Sequence, residues 1–165
     1  MANWTDLEKG WVFSDPKTEY DASIKRNCVR ITGDFVSGNV LFYILKFFLK
    51  KSDGTSKLKI QKVWNDGKTH LCLAKDDKQF ELELGTTPAQ TKTALKKLVN
   101  KGIIKIIHKR FYGNRTRHIL LIKSTFAQYY EEALMEQKAA MEQDKERYKD
   151  AVEKRKLARE TLLRL

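Results

Sequence analysis

The most distinctive chemistry in this 165-residue sequence lies in a long stretch without carboxylates. From Leu84 to Tyr130 there is no Asp or Glu, but there are ten Lys or Arg. Residues 1 to 83 carry a net charge of +2 and residues 131 to 165 carry none, so this stretch supplies +10 of the overall +12. A block of like charges repels itself unless a polyanion lies against it. These residue types therefore predict phosphate binding. The ten are Lys92, Lys96, Lys97, Lys101, Lys105, Lys109, Arg110, Arg115, Arg117 and Lys123.

Catalytic and metal-binding patterns are not found in the sequence. A nuclease needs clustered acids beside its basic surface, and the basic stretch has none. No P-loop, G-x-S-x-G or H-E-x-x-H motif occurs. Cys28 and Cys72 are isolated, which is typical of buried apolar side chains in a reducing compartment. We therefore predict a binding protein rather than an enzyme, with no cofactor and no metal ion.

An anionic membrane surface is the alternative polyanion. Membrane-surface binding favours one long amphipathic helix with bulky apolar residues opposite its cations. The most apolar run, Val40 to Leu49, contains Lys46 and has about half the length needed to span a bilayer. Met1 to Lys9 is polar and has no signal-peptide character. We predict a cytoplasmic protein without a membrane partner.

The basic stretch opens with strong signals for a helix. Thr87 is a candidate N-cap, Pro88 takes the first helical position, Gln90 completes a capping box, and Gly102 ends the helix. One face carries a predicted buried stripe, and the opposite face carries hydrogen-bond donors without an acid. The predicted stripe is Thr91, Ala94, Leu95 and Leu98, and the outer face is Ala89, Gln90, Thr93, Lys96, Lys97 and Asn100.

The neighbouring segments complete a recognisable arrangement. Asp77 to Gly85 is a predicted helix capped by Asp76, joined to the next helix by a tight turn. Ile103 to Ile107 and Thr116 to Ile122 are predicted strands around a loop, 110 to 115, in which Gly113 and Asn114 supply the turn. A helix-turn-helix followed by a basic hairpin is the layout of a winged helix.

Other elements are predicted around this centre. Residues 37 to 51 form a core helix behind the recognition helix, and residues 57 to 64 and 68 to 73 form a hairpin whose second strand pairs with the wing. The first 28 residues show no sustained periodicity, and 29 to 31 is a short strand candidate. The predicted domains are an N-terminal arm packing on the rest (1–35), a winged helix-turn-helix (36–123) and a long charged C-terminal helix (124–165). The fold class is therefore α+β.

Phe111, Gly113, Arg115 and Thr116 carry a family resemblance. With the preceding QFELELG and TPAQTKTALKKLVNKGIIKI, they resemble the winged-helix DNA-binding domains of replication proteins from phages and mobile elements, of the replisome-organiser or origin-binding type. The similarity covers residues 36 to 122 and is more specific in the wing. The insertion at 57 to 67 and the C-terminal tail depart from the family pattern. The resemblance implies origin recognition or replisome assembly.

The sequence thus predicts a double-stranded DNA interface, with a transcriptional regulator of the same fold, or a module that binds an acidic protein, as alternatives. The C-terminal helix is expected either to bind a second copy or a replication protein, or to extend into solvent; its heptads are poor. The predicted recognition-helix contacts are Thr87, Gln90, Thr93, Lys96, Lys97 and Asn100. The predicted wing contacts are Lys109, Arg110, Tyr112, Asn114, Arg115 and Arg117.

Overall fold

A computed structural model describes residues 3–13 and 17–165. This part of the chain has six helices and a four-stranded antiparallel sheet, so the predicted α+β class is confirmed. The chain forms two compact units, Met1–Glu131 and Glu132–Leu165. The elements are α1 (Trp4–Phe13), α2 (Lys17–Thr32), α3 (Phe35–Phe48), β1 (Ile60–Val63), β2 (Thr69–Ala74), α4 (Asp77–Leu84), α5 (Pro88–Asn100), β3 (Ile104–Phe111), β4 (Asn114–Leu121) and α6 (Lys123–Leu163).

Helix α3 is the centre of the first unit's core. It is the most apolar of the helices, and it packs against α2, α5 and β4. Asp34 caps its first turn, accepting a 2.8 Å hydrogen bond from the Ser37 backbone N–H. The predicted core helix behind α5 is therefore confirmed, but it spans Phe35–Phe48 and not residues 37 to 51. Its fully buried residues include Val40, Leu41, Ile44 and Leu45.

The strand predicted at Val29 to Ile31 is wrong, because these residues belong to α2. Val29 and Ile31 are β-branched and alternate with Arg30 as in a half-buried strand, but Ile24, Cys28 and Ile31 recur at helical spacing and are all buried. Helix α2 also crosses α3 very closely. A Cβ on Gly38 would lie 2.6 Å from Val29 Cγ2, so only glycine permits this contact.

A short turn joins α4 to α5, and both helices begin with capping boxes. Asp76 and Gln79 cap α4, and Thr87 and Gln90 cap α5, as predicted for α5. Gly85 ends α4 in the left-handed conformation at φ 74°. The buried face of α5 also matches the prediction: Thr91, Ala94, Leu95 and Leu98 are the buried residues of this helix.

Strand β2 connects the two hairpins of the sheet, whose order is β1-β2-β4-β3. It pairs with β4 at Leu73–Ile119 and Ala74–His118, so the predicted pairing of this strand with the second hairpin is confirmed. Lys62 on β1 donates a 3.1 Å hydrogen bond to the carbonyl of Arg110 on β3. Strands at opposite edges of a flat four-stranded sheet lie about 14 Å apart, so the sheet must curl to bring them together.

The β3–β4 hairpin is longer and tighter than predicted. Its strands pair from Ile104–Leu121 to Phe111–Asn114, leaving a two-residue turn at Tyr112–Gly113. The predicted loop over 110 to 115 and the turn at Gly113-Asn114 are therefore wrong. The φ angles of Tyr112 (50°) and Gly113 (81°) fit a type I′ turn, whose twist matches that of the flanking strands. Continued pairing also satisfies backbone groups that a loop would leave to water.

His118 in this hairpin is expected to make the stability sensitive to acid. Burial lowers the pKa of its imidazole below the usual 6.5; Lys62, His108 and Lys109 act in the same direction, while a hydrogen bond to the Thr116 carbonyl opposes them. Below about pH 6.5 the unfolded chain binds a proton that the folded chain binds less readily, so stability falls with falling pH.

We expect the free energy of unfolding to fall between about pH 7 and pH 5, and to fall less in a His118→Gln variant, which has no imidazole to protonate. Urea denaturation at several pH values measures both slopes. Equal slopes for the two proteins would show that His118 does not cause the acid sensitivity.

Candidate nucleic-acid interface

The helical period of α5 determines which of its residues are exposed. The buried stripe lies against the core, so residues half a turn away must face outward. Ala89, Thr93, Lys96 and Asn100 occupy the middle of this outward face, and all are exposed. This surface offers an ammonium, a hydroxyl and an amide without a carboxylate.

Two of the predicted α5 residues, Thr87 and Gln90, also cap the helix. The Gln90 side-chain oxygen accepts a 3.0 Å hydrogen bond from the Thr87 N–H, and Thr87 Oγ1 accepts a 3.2 Å hydrogen bond from the Gln90 N–H. Thr93 Oγ1 donates to the Ala89 carbonyl, which leaves its lone pairs available. Gln90 retains its two amide hydrogens for a ligand.

Lys97 differs from the other cations of α5. Its Nζ lies 2.5 Å from Asp34 Oδ2 and 3.1 Å from the Thr32 carbonyl. This hydrogen bond, with that from the Ser37 N–H, lowers the pKa of the Asp34 carboxyl. One carboxylate thus caps α3 and holds α5 beside it. We therefore assign Lys97 to the positioning of α5 rather than to the outward surface.

The arginines of the hairpin share one face. Arg110 is directly opposite Arg115 in the β3–β4 register, and both side chains are exposed. Directly opposite side chains lie about 5 Å apart at Cβ, and like charges in such positions repel. Among the described residues, neither arginine has a carboxylate within salt-bridge distance. The pair therefore forms a concentrated cationic point near the tip of the hairpin.

Arg117 shows which way this face of the hairpin points. Two residues along β4 from Arg115, it lies on the same side of the strand, and its Nη1 is 3.0 Å from Asp77 Oδ1 in the first turn of α4. The arginine face is therefore turned toward α4. Because its guanidinium is engaged by Asp77, we assign Arg117 to holding the hairpin against α4.

Lys105 and Lys109 alternate with the arginine face and lie on the other side of β3. Both are exposed. The five hairpin cations of the sequence are therefore divided between two faces, with Arg110, Arg115 and Arg117 on one and these two lysines on the other.

Tyr112 lies in the turn of the hairpin, and Asn114 is the first residue of β4. The Tyr112 side chain is 91% exposed, and its φ of 50° lies in a region that costs a non-glycine residue about 1 kcal/mol. An aromatic ring is thus held outward at the tip, next to the two arginines.

The partners of the ten cations separate them into two groups. Four are engaged: Lys97 by Asp34, Arg117 by Asp77, and Lys101 and Lys123 by the rings of Tyr129 and Trp4 at 5.3 Å. The other six are exposed and have no ionic partner among the described residues. We call them the exposed cation set: Lys92, Lys96, Lys105, Lys109, Arg110 and Arg115.

The predicted contact residues did not include two members of the exposed cation set, Lys92 and Lys105. Lys92 lies one turn before Lys96 at the edge of the outward face, and this i, i+4 spacing was the signal that could have found it. The contact between Lys62 and the end of β3 had no such signal, because it depends on the curl of the sheet.

Among the described residues, no group of three or more His, Cys, Asp or Glu side chains is placed to hold a metal ion. None of the described helices combines the length and apolar character needed to cross a bilayer. Comparison with family models, curated proteins and solved structures gives no match for this chain.

Proposed function

We propose that this protein binds double-stranded DNA as a winged helix, with α5 as the recognition helix and the β3–β4 hairpin as the wing. The observation that carries the proposal is the exposed cation set, which lies on these two elements and lacks carboxylate partners in the described chain. Duplex phosphates would relieve the repulsion between Arg110 and Arg115.

Each element has a separate part in this interface. Thr93, Lys96 and Asn100 present donors and acceptors to base edges from a helix that fits the major groove. Gln90 adds its amide hydrogens at the start of the helix. The hairpin contacts the adjacent backbone, with Arg110 and Arg115 on one face and Lys109 on the other; a ribbon lying along a groove meets phosphates on both sides.

The biological role that the family resemblance supports is origin recognition or replisome assembly for a phage or mobile element. That resemblance rests on Phe111, Gly113, Arg115 and Thr116 with the two preceding helices. Footprinting on the protein's own replicon separates this role from transcriptional regulation. Protection of repeats within an origin supports replication, while protection over a promoter supports regulation.

Base reading by α5 is tested best at Asn100. Changing Gln90 would also remove a capping box worth about 1 kcal/mol of stability, whereas Asn100 is exposed at the last helical position. We expect Asn100→Ala to cost about 1–3 kcal/mol of binding on the preferred duplex and almost nothing on unrelated duplexes. Fluorescence anisotropy with both duplexes measures the difference.

Lys51→Ala, on the exposed loop after α3, is the control that should leave both affinities unchanged. An equal loss on both duplexes from Asn100→Ala would mean that α5 does not distinguish bases. A protein that bound an acidic polypeptide such as polyglutamate but no duplex at low salt would instead fit the acidic-partner alternative.

A further inference from the structure

The second unit, Glu132–Leu165, has its charges separated along the helix. Residues 132 to 146 contain five acids and two bases, a net charge of −3. Residues 147 to 165 contain seven bases and three acids, a net charge of +4. The helix dipole favours this direction, but its influence ends within the first and last turns. Pairs within the helix, such as Asp144–Arg147 at 2.6 Å, need mixed rather than separated charges.

The same helix carries apolar residues along one side, of which Leu134 is half-buried and the others are exposed. At 100° per residue, the positions of Leu134, Met141, Tyr148, Val152 and Leu162 fall within roughly 80° of one another. Within the second unit, the side chains of Tyr148 and Leu162 are 72% and 70% exposed, and those of Met141 and Val152 are also exposed. Large exposed side chains aligned in this way are typical of a surface that binds a partner.

We propose that this helix binds the same helix of a second copy in the antiparallel direction. Each half then lies beside the half of opposite charge in the other copy. Full overlap pairs residues whose numbers add to about 296, which places Tyr148 against Tyr148 at the centre and Leu134 against Leu162 near each end. Met141 of one copy then faces Arg155 of the other. This arginine lies on the same side of its helix as the apolar residues, one helical turn from Asp144 of the first copy.

Charge decides the direction of pairing. In a parallel pair the two halves of net −3 would lie together, as would the two of net +4, and like charges in register destabilise helical pairs. In the antiparallel pair every half meets its complement. The heptad positions are too polar for strong hydrophobic pairing, so the electrostatic contribution has a large share and the dimer should weaken with salt.

Disulfide trapping in the full chain, without DNA, tests the direction. The native Cys28 and Cys72 are buried, so introduced cysteines can be followed alone. We expect Tyr148→Cys to form a cross-linked dimer readily and Met141→Cys not to cross-link with itself. A mixture of Met141→Cys and Arg155→Cys chains should cross-link to each other. Self-cross-linking of Met141→Cys as efficient as that of Tyr148→Cys would overturn the antiparallel direction.

Charge reversal tests whether the separated charges cause the antiparallel pairing. Sedimentation measures the dimer, and circular dichroism shows that the helix remains. Replacing Lys154, Arg155 and Lys156 by Glu should raise the dimer dissociation constant at least about tenfold, and a parallel dimer would instead be strengthened. Adding Lys in place of Glu136, Glu142 and Glu146 in the same chain should restore the dimer. A wild-type chain that sediments as a 19.3 kDa monomer at every concentration would overturn the proposal, whatever its affinity for DNA.

Discussion

Raising the salt concentration from about 50 to 200 mM is expected to weaken duplex binding about a thousandfold. Each cation that neutralises a phosphate releases condensed counterions, so the slope of log affinity against log salt counts the contacts. The six residues of the exposed cation set predict a slope of roughly −5. Fluorescence anisotropy with a short labelled duplex at several salt concentrations measures it.

The slope also separates two descriptions of the interface. If all ten cations of the stretch from Leu84 to Tyr130 contacted phosphates, the slope would be roughly −9. A value near −5 agrees with four of them being held by Asp34, Asp77, Tyr129 and Trp4. An affinity that does not change with salt would exclude a phosphate interface altogether.

Reversing the charge of Arg110 and Arg115 together is expected to reduce duplex affinity about a hundredfold on every sequence. Each Arg→Glu change removes a phosphate contact and adds repulsion. The effect should be independent of sequence because the hairpin positions the protein rather than reading bases. Competition with unrelated duplexes at low salt measures this uniformity.

A matched control removes the effect of net charge. Lys9→Glu with Arg26→Glu changes exposed residues of α1 and α2 and lowers the net charge from +12 to +8, as the hairpin variant does. We expect at most a few-fold loss of affinity from this control. A similar loss in both variants would mean that binding follows overall charge and not the hairpin.

The single Arg110→Glu variant separates binding from folding. It replaces a pair of like charges across the hairpin by opposite charges, so the free energy of unfolding should rise by roughly 0.2–1 kcal/mol while DNA affinity falls. A variant that is both less stable and weaker in binding would mean that Arg110 supports the fold, and that binding is lost because the hairpin is destabilised.

Local signals made α5 predictable. The capping box of Thr87 and Gln90, the proline at the first position and the stripe from Thr91 to Leu98 are all set within one segment, and all are confirmed. The two hairpins were also predictable, because the Asp66-Gly67 turn and two β-branched runs define them.

Contacts between distant segments were not predictable. The partner of Lys97 lies 63 residues away at Asp34, and that of Arg117 lies on α4, so their engagement appears only when the helices pack. Val29 was misread for a related reason. Val29 and Ile31 are β-branched and favour a strand locally, but packing of Val29 against Gly38 of α3 favours the helix.

The turn residues of the β3–β4 hairpin were predicted wrongly because backbone preferences at single positions were used. Gly113 and Asn114 both tolerate positive φ, which made them the expected turn residues. The register instead places Tyr112 in the left-handed region, since pairing Phe111 with Asn114 completes the ladder. Sequence preference at a single position was overridden by the pairing of the whole hairpin.

Lysine footprinting tests most directly whether α5 and the β3–β4 hairpin form the DNA interface. Acetylation of each lysine is followed by mass spectrometry with and without saturating duplex. The interface proposed here predicts protection of Lys92, Lys96, Lys105 and Lys109, with Lys51 and Lys138, exposed on other parts of the chain, reacting as before. Unchanged reactivity of the first four lysines with duplex bound, or protection only of the other two, would contradict it.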